Sequence, residues 1–269
     1  MAGLLLLAPA AMANLLTPKS GGSPNANAID SLYKIILYVA AVVFVIVEGA
    51  LVYSVIKFRA KKKAVAAQIH GNTRLEIGWT VAAAMILVIL TVVTFVKLPS
   101  IINPPDSSQG IQLSAATTEP NPPNGKKVVI CVQGRQFIWR YTYGNNCLSN
   151  SFNLPYSYTT MEVPVGVTVI LDIQASDVIH SWWIPSLGGK VDAVPGYTTY
   201  TWFKVLHEGF YHGQCAQLCG RGHAAMVAFV RAVPADQYQA WVMRQQQLIH
   251  SANSQVAALR KILTANGNL

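Results

Sequence analysis

The segment GQCAQLCGRGHAAM, residues 213–226, concentrates side chains that bind soft or borderline metal ions. Cys215 and Cys219 are four residues apart, His223 follows four residues later, and Met226 lies three beyond it. A Cys215–Cys219 disulfide would leave the histidine and the methionine without a role, and a structural zinc site has no use for a methionine. A single blue copper ion needs one cysteine, two histidines and a weak axial methionine. The second sulfur therefore favours two copper ions bridged by both cysteines, each completed by one histidine.

The second histidine of such a site must come from outside this segment. His180, in DVIHSWWIPSLGGKVDAVPG, follows the apolar run VTVILDI and precedes two tryptophans, which predicts a closed loop after a strand. His207 and His212 are the alternatives, because both are close to the segment in sequence. His70 and His250 are excluded by their placement: His70 lies between two long apolar runs that predict membrane spans, and His250 lies in the C-terminal tail.

Two long apolar runs predict transmembrane helices. The chain has 269 residues, of which 52% are hydrophobic and only 12% charged, whereas about 25% charged residues is usual in soluble domains. Residues 35–56 and 77–97 are each long enough to cross a bilayer of roughly 30 Å, so residues 31–98 are predicted to form a helical hairpin. Two buried helices of a soluble protein are the alternative. Glu48 interrupts the first span, so it either faces a partner protein or is protonated, and a packing role is favoured over a functional one.

The charge distribution predicts the topology of the hairpin. The formal net charge is +9, but six lysines or arginines lie between the spans against the single Glu76. This cluster indicates a cytoplasmic loop rather than nucleic-acid binding, and it places both chain ends and everything after Lys97 outside the cytoplasm. Residues 1–30 are predicted to be a signal-like, flexible segment with a cleavage site after Ala13.

The rest of the chain predicts a β domain between a linker and a helical tail. Residues 99–125 are rich in Pro, Ser, Asn and Gly, which is typical of a linker. Residues 126–234 contain short β-branched and aromatic runs separated by turn residues, which predicts a β-sandwich or barrel. The run QFIWRYTY alternates aromatic residues, so one face of its strand is aromatic. Residues 235–269 have helical composition.

The assembled motifs resemble subunit II of the haem–copper cytochrome c oxidases, from about Asp30 to about Trp241. The family patterns DVxHSW…PSLG…DAxPG and GQCxExCGxxHxxM both occur here in order, with one substitution. The resemblance implies a two-helix hairpin followed by a cupredoxin domain, a Greek-key β-sandwich or barrel, with a dinuclear copper centre. The implied ligands are two bridging cysteines, two capping histidines, a weak axial methionine and one backbone carbonyl: Cys215, Cys219, His180, His223, Met226 and Gln217.

The resemblance also implies a patch through which electrons enter and a residue at the entrance of a proton path. GRQFIWRYTY matches the family's electron-entry patch, which here consists of Phe137, Trp139 and Tyr141, with Phe137 in place of the usual first tryptophan. Few acidic residues mark the head, so we expect a membrane-bound or differently charged donor rather than soluble mitochondrial cytochrome c. RLEIGWT makes Glu76 a candidate for the entrance of a proton path, the alternative being a membrane-interface residue paired with Arg74.

Two further features depart from the family pattern. Gln217 replaces a glutamate whose side chain helps to hold magnesium at the boundary with subunit I, so weaker or absent magnesium is expected. Cys131 and Cys147 match no family ligand and bracket the aromatic strand. A disulfide between them is favoured, and two independent thiols are the alternative.

The resemblance implies a role in respiration at a bacterial cell membrane. The chain is expected to take single electrons from cytochrome c or another extracytoplasmic donor at two copper ions. It would pass them to the haems of subunit I, where oxygen reduction is coupled to proton pumping in a complex with other oxidase subunits. A quinol-oxidase subunit would lack the copper ligands, and a nitrous-oxide-reductase-like protein would be soluble. A membrane-anchored copper protein without an oxidase role is the remaining alternative.

Overall fold

The computed structural model describes residues 16–59, 68, 70–107, 124, 126–144 and 153–265. The chain divides into two compact units. The hairpin unit contains Asp30–Pro99, and the head unit contains Pro18–Ile29 together with the chain from Ser100 onward. The predicted cleavage site after Ala13, the basic residues 61–63 and Cys147 lie outside the described residues.

Two long helices contain the predicted spans. Helix α1 covers Pro24–Lys57 with 34 residues, and helix α2 covers Thr73–Ile102 with 30 residues. Both are long and apolar enough to cross a membrane. In the most apolar stretch of each helix, none of the residues is buried inside the structure. The core helix of a soluble protein would bury these side chains, so the alternative of two soluble core helices does not fit.

Helix α1 begins earlier than the sequence predicts. Ser23 precedes Pro24, which suits the first helical position because proline has no N–H to satisfy there. The Asn25 side chain accepts a hydrogen bond from the Ala26 N–H at 2.9 Å and donates one to the Trp202 carbonyl at 2.7 Å. Asn25 and Ala26 are buried in the head unit, so the helical residues 24–29 differ from the flexible segment expected up to residue 30.

The described part of the head unit contains ten strands, numbered in chain order. They are β1 Val128–Arg135, β2 Ile138–Tyr143, β3 Tyr156–Tyr158, β4 Thr160–Pro164, β5 Thr168–Ala175, β6 His180–Trp182, β7 Val191–Ala193, β8 Thr199–Lys204, β9 Gly209–Gln214 and β10 Val227–Val233.

The strands form two main sheets and a short ribbon. One sheet has the order β3-β2-β1-β5-β8 and the other β4-β10-β9, while β6 and β7 pair as a ribbon. Most neighbours are antiparallel, but β1 pairs β5 and β4 pairs β10 in parallel. Alternate residues of the strands point into one shared core of aliphatic and aromatic side chains. The β-sandwich predicted from the sequence is confirmed.

A long C-terminal helix, α3, covers Ala235–Ala265. Its first turns bury Tyr238 and Trp241, and the Trp241 ring lies 4.7 Å from that of Tyr143 on β2. Aromatic pairs at this separation contribute beyond the area they bury, so they fix the start of the helix on the sandwich. The prediction of a helical tail is confirmed for these residues.

Candidate metal centre

The two cysteines and the distant histidine meet in one buried cluster. The ligand atoms of His180, Cys215 and Cys219 all lie within 4.8 Å of one another. The Cys215 Sγ is 3.9 Å from His180 Nδ1 and 3.9 Å from Cys219 Sγ. A disulfide would hold the two sulfurs about 2.05 Å apart, and both cysteines are free. The structure thus brings His180 to the loop and does not contain the alternative disulfide.

The remaining three predicted groups complete the same cluster. His223 Nδ1 lies 3.6 Å and Met226 Sδ 3.9 Å from the Cys219 Sγ. The Gln217 carbonyl oxygen is 3.2 Å from the Cys215 Sγ. Six potential donor atoms therefore form one connected cluster, and each sulfur has an imidazole nitrogen near it.

The loop that carries four of these side chains is held at both ends. It connects β9 to β10, and the Cys215 N–H donates to the Met226 carbonyl at 2.8 Å. The Ala216 N–H donates to the Ser181 carbonyl at 2.8 Å, which ties the loop to β6 and so to His180. A short 3-10 helix, His223–Ala225, turns the chain so that Met226 points back into the core, where it is fully buried.

Asp177 orients the histidine that arrives from β6. Its Oδ1 lies 2.9 Å from His180 Nε2, which leaves Nδ1 directed at the Cys215 sulfur. Burial disfavours the charged form of Asp177, but hydrogen bonds from the Gln136 N–H, from His180 and from the Val178 N–H outweigh it and lower the pKa of this carboxyl. A carboxylate on the far nitrogen fixes the tautomer of a ligating imidazole. Sequence reasoning missed this residue, because its position three before the histidine indicates that the two are close but not which ring nitrogen the carboxylate contacts.

Replacing Asp177 with asparagine is expected to lower copper affinity roughly 10–100-fold without unfolding the head. The amide keeps the shape but cannot hold His180 with a negative charge. The measurement is competition for copper against a chelator, using the full chain in detergent. Asp192→Asn, at an exposed position on β7, is the matched control and should bind copper as the parent does. Equal affinity in both variants would show that Asp177 does not position the ligand.

The chemistry of the donor set fits copper. Cys215 and Cys219 are only 2% and 6% exposed. Burial, followed by the neighbouring Cys215, raises the pKa of the Cys219 thiol to about 11. A metal ion must therefore displace a proton to bind there, and a soft ion that forms strong bonds to sulfur does so most readily. A structural zinc site would leave the methionine unused.

The predicted electron-entry residues do not lie together at the surface. Phe137, in the turn between β1 and β2, is 37% exposed, whereas Trp139 and Tyr141 are 0% exposed. A β-carbon at Gly222 would overlap the Phe137 ring, so the ring lies against the metal-binding loop. Because the two buried residues point into the core, they cannot touch a docked donor, and direct contact is left to Phe137. The electron-entry role itself stays a prediction.

The other predicted positions have local roles in the structure. The Glu76 carboxylate accepts a hydrogen bond from the Asn72 N–H at the start of α2, and the described residues contain no ion pair between Glu76 and Arg74. His212 packs against the rings of Phe210 and Phe229 and does not join the cluster. The proton-entry role of Glu76 stays a prediction.

Two further predicted features, a disulfide and a magnesium site, also stay predictions. Cys131 is buried and disulfide-bonded, but Cys147 lies outside the described residues, so the pairing of the two stays a prediction. Gln217 is exposed, and weaker or absent magnesium at this position also stays a prediction.

Two apolar helices long enough to cross a membrane, followed by a β-sandwich with a buried His-Cys-Cys cluster, define a membrane-anchored protein with a cupredoxin-like domain whose cluster is suited to copper. Residues 128–233 match the family description "Cytochrome C oxidase subunit II, periplasmic domain", and residues 11–96 match its transmembrane domain. The chain belongs to the cytochrome c oxidase subunit II family, whose members are components of haem–copper oxidases.

Individual relatives agree with the family match. Cytochrome c oxidase subunit 2 of Alkalihalophilus pseudofirmus is 35% identical over 84% of this chain, and the alignment spans 61% of that protein's length. Cytochrome c oxidase subunit 2 of Cereibacter sphaeroides is 30% identical over 84% of this chain and 80% of its own length. The periplasmic domain of subunit II of cytochrome oxidase (CoxB) of Bradyrhizobium japonicum, a crystal structure, is 28% identical. The match covers 45% of this chain and 95% of that structure's chain, with a TM-score of 0.41.

Proposed function

We propose that the chain is the electron-entry subunit of a respiratory terminal oxidase and holds two copper ions. The observation that carries this proposal is the pairing of sulfurs and imidazoles. His180 Nδ1 lies 3.9 Å from one sulfur and His223 Nδ1 lies 3.6 Å from the other. A single trigonal copper has no place for two thiolates and two imidazoles, whereas two bridged ions use all four.

Copper bound here would supply a site that gains and loses one electron at a time. The chain's own residues would hold that site still and keep water out. His180 and Met226 are fully buried, and backbone hydrogen bonds tie the loop to β6, from Ala216 to Ser181, and close it on itself, from Cys215 to Met226. A rigid, apolar shell limits changes in ligand position between redox states and tunes the potential.

The charge distribution of the chain and its family membership support an extracytoplasmic donor and a haem-bearing acceptor. The basic residues between the spans favour a cytoplasmic loop, and this supports a head that lies outside the cytoplasm of a bacterial cell. Family membership supports oxidase subunit I as the electron acceptor, with oxygen reduction and proton pumping carried out there. Glu76, at the start of α2, is at the end of the span where a proton could enter from the cytoplasmic side.

The copper content and the spectrum of the full chain test this proposal. The chain is purified in detergent, loaded with copper, and examined by metal analysis, visible absorption and electron paramagnetic resonance. We expect two copper ions per chain and a purple, mixed-valence signal in which one unpaired electron is shared by both ions. One copper with a blue-copper spectrum, or no bound copper, would overturn the proposal.

A further inference from the structure

The loop between β9 and β10, which carries four of the clustered side chains, is exposed at its tip. Leu218 is 77% exposed and Gly220 is exposed as well, yet Cys219 between them is only 6% exposed. The backbone hydrogen bonds donated by Cys215 and Ala216 hold the start of the loop rather than its tip. Cys219 thus points inward from a segment that solvent surrounds, and its position depends on the neighbouring element that contacts this tip.

The turn between β1 and β2 makes that contact. The Gln136 side chain donates a hydrogen bond of 2.6 Å to the carbonyl of Cys219. A β-carbon at Gly220, whose φ of +132° favours glycine, would lie 2.9 Å from the same side-chain nitrogen. The Phe137 ring lies so close to Gly222 that a β-carbon there would overlap it. Two residues of the turn therefore enclose the tip of the loop.

The same turn is anchored on the histidine side of the cluster. The Gln136 backbone N–H donates to Asp177 Oδ2 at 2.7 Å, and the other oxygen of this carboxylate lies 2.9 Å from His180 Nε2. The side chain of Gln136 thus reaches Cys219, while its backbone reaches His180 through Asp177. One residue connects two ligands that arrive from separate parts of the fold, β6 and the β9–β10 loop.

We propose that Gln136 and Phe137 form a clasp that fixes Cys219 relative to His180, with Gln136 as a positioning residue of the metal centre. Gln136 contacts the backbone of Cys219 rather than its sulfur, so it acts on the site through the ligand. The proposal rests on the proposed function in one respect, that the cluster binds copper.

The clasp has two expected physical effects on bound copper. It limits movement of the Cys219 sulfur, because the carbonyl of the same residue is held. It also directs the positive end of an amide N–H dipole toward the centre, which favours the reduced, less positive state. Loss of the side-chain hydrogen bond should therefore speed the release of copper and lower the reduction potential.

Replacing Gln136 with methionine tests the clasp. Methionine has a similar length but no N–H to donate, and the backbone N–H to Asp177 stays in place. We expect the copper-loaded full chain in detergent to release copper to a chelator about fivefold faster than the parent, as loss of one hydrogen bond implies. The reduction potential, measured on the same samples by redox titration, should fall.

Gln133→Met is the matched control, because it makes the same change three residues earlier on β1. Gln133 alternates with Val132 and Gly134, which face the core, so its side chain points away from the cluster. Its release rate should stay within about twofold of the parent and its potential should not change. A parent-like release rate and potential in Gln136→Met, or equal changes in both variants, would overturn the clasp.

Hydrogen exchange of the copper-free chain tests the clasp without the metal. Mass spectrometry follows the backbone amides of residues 215–226 in the parent and in both variants. Gln136→Met should exchange faster in this loop alone, because the tip loses the hydrogen bond that holds it. Unchanged exchange in the loop, or faster exchange throughout the sandwich, would count against a local clasp.

A double variant tests the connection to His180. Asp177→Ala removes the carboxylate that anchors the turn, and it is measured alone and together with Gln136→Met. If one turn holds both ligands, loss of either anchor weakens the other, so the combined increase in the release rate should be smaller than the product of the two single increases. A combined increase equal to that product would mark two independent contacts and overturn the clasp.

Failure of the clasp is distinguishable from failure of the proposed function. The copper content and the mixed-valence spectrum of the parent decide the function, whereas the clasp is decided by comparing variants with the parent. If the parent holds two ions and Gln136→Met behaves as the parent does, only the clasp is wrong. If the parent binds no copper, the proposed function is wrong, and the exchange of the copper-free loop still decides whether the turn holds it.

Discussion

Replacing Cys219 with serine is expected to lower bound copper from two ions per chain to one or none and to slow electron uptake by about 100-fold. The Cys219 sulfur contacts three other members of the cluster: it lies 3.9 Å from Cys215 Sγ, 3.6 Å from His223 Nδ1 and 3.9 Å from Met226 Sδ. Serine offers a hard oxygen that stays protonated at neutral pH and cannot bridge two soft ions. His223 and Met226 would then lose the ion that we propose they share with this sulfur.

The measurement combines metal analysis with electron paramagnetic resonance of the full chain, parent beside variant. Ala224→Ser is the matched control, because it adds the same hydroxyl at an exposed position of the same loop without removing a donor. The control should retain both ions and the parent spectrum. Near-ultraviolet circular dichroism should show that the sandwich of Cys219→Ser is intact. A variant that still holds two ions with an unchanged spectrum would exclude Cys219 as a bridging ligand.

The metal cluster could be predicted because most of it is local. Four of its side chains lie within residues 213–226, so their spacing alone limits the possible sites. His180 could be added because it follows a recognisable strand. Asp177 could not be assigned, because its role depends on which ring nitrogen of His180 faces the sulfur. That choice is made by the fold, through the hydrogen bond of 2.9 Å between Asp177 and Nε2.

The aromatic strand illustrates a different limit of sequence patterns. Alternation predicts that Trp139, Tyr141 and Tyr143 share a face, and in the structure all three are buried in the core. The pattern does not say which face of a strand is covered, since that depends on the opposite sheet. Phe137 fits the alternation but lies in the turn, outside the regular strand. The predicted surface patch therefore mixes one exposed residue with two core residues.

The start of helix α1 depended on contacts that no local pattern contains. The Asn25 side chain donates to the carbonyl of Trp202, 177 residues later in the chain. A β-carbon at Gly188 would lie 2.7 Å from the Asn25 side-chain nitrogen, so the two segments meet closely. Composition made residues 1–30 resemble a leader and a flexible arm. Burial of Ser23, Asn25 and Ala26 follows only from the surface that the head unit offers to them.

Truncating Trp139 to alanine is expected to destabilise the head by about 3–5 kcal/mol and to disturb the metal centre at the same time. Trp139 is 0% exposed, and its ring packs edge-on against His180 with the centroids 5.9 Å apart. Its strand partner is Gly134, where a β-carbon would lie 3.0 Å from both the Trp139 and His180 rings. The cavity left by alanine therefore opens against the histidine, and the imidazole loses the surface that holds its plane.

Thermal unfolding of the copper-free chain in detergent, followed by near-ultraviolet circular dichroism, measures the first effect. We expect the Tm of the head to fall by at least about 10 °C. Copper titration measures the second effect, as weaker binding and a broadened paramagnetic signal. Trp139→Phe is the conservative comparison, since it keeps a ring in the space and removes an indole N–H that has no hydrogen-bond partner among the described residues.

The two variants separate packing from electron entry. If Trp139 serves only to pack His180, phenylalanine should restore the mixed-valence signal and most of the stability, and electron uptake from a docked donor should recover with them. If phenylalanine restores the signal but leaves donor oxidation slow, the indole carries electrons from the surface to the centre despite its burial. Normal stability and copper binding in Trp139→Ala would contradict the packing role. The imidazole of His180 would then keep its position without the buried indole.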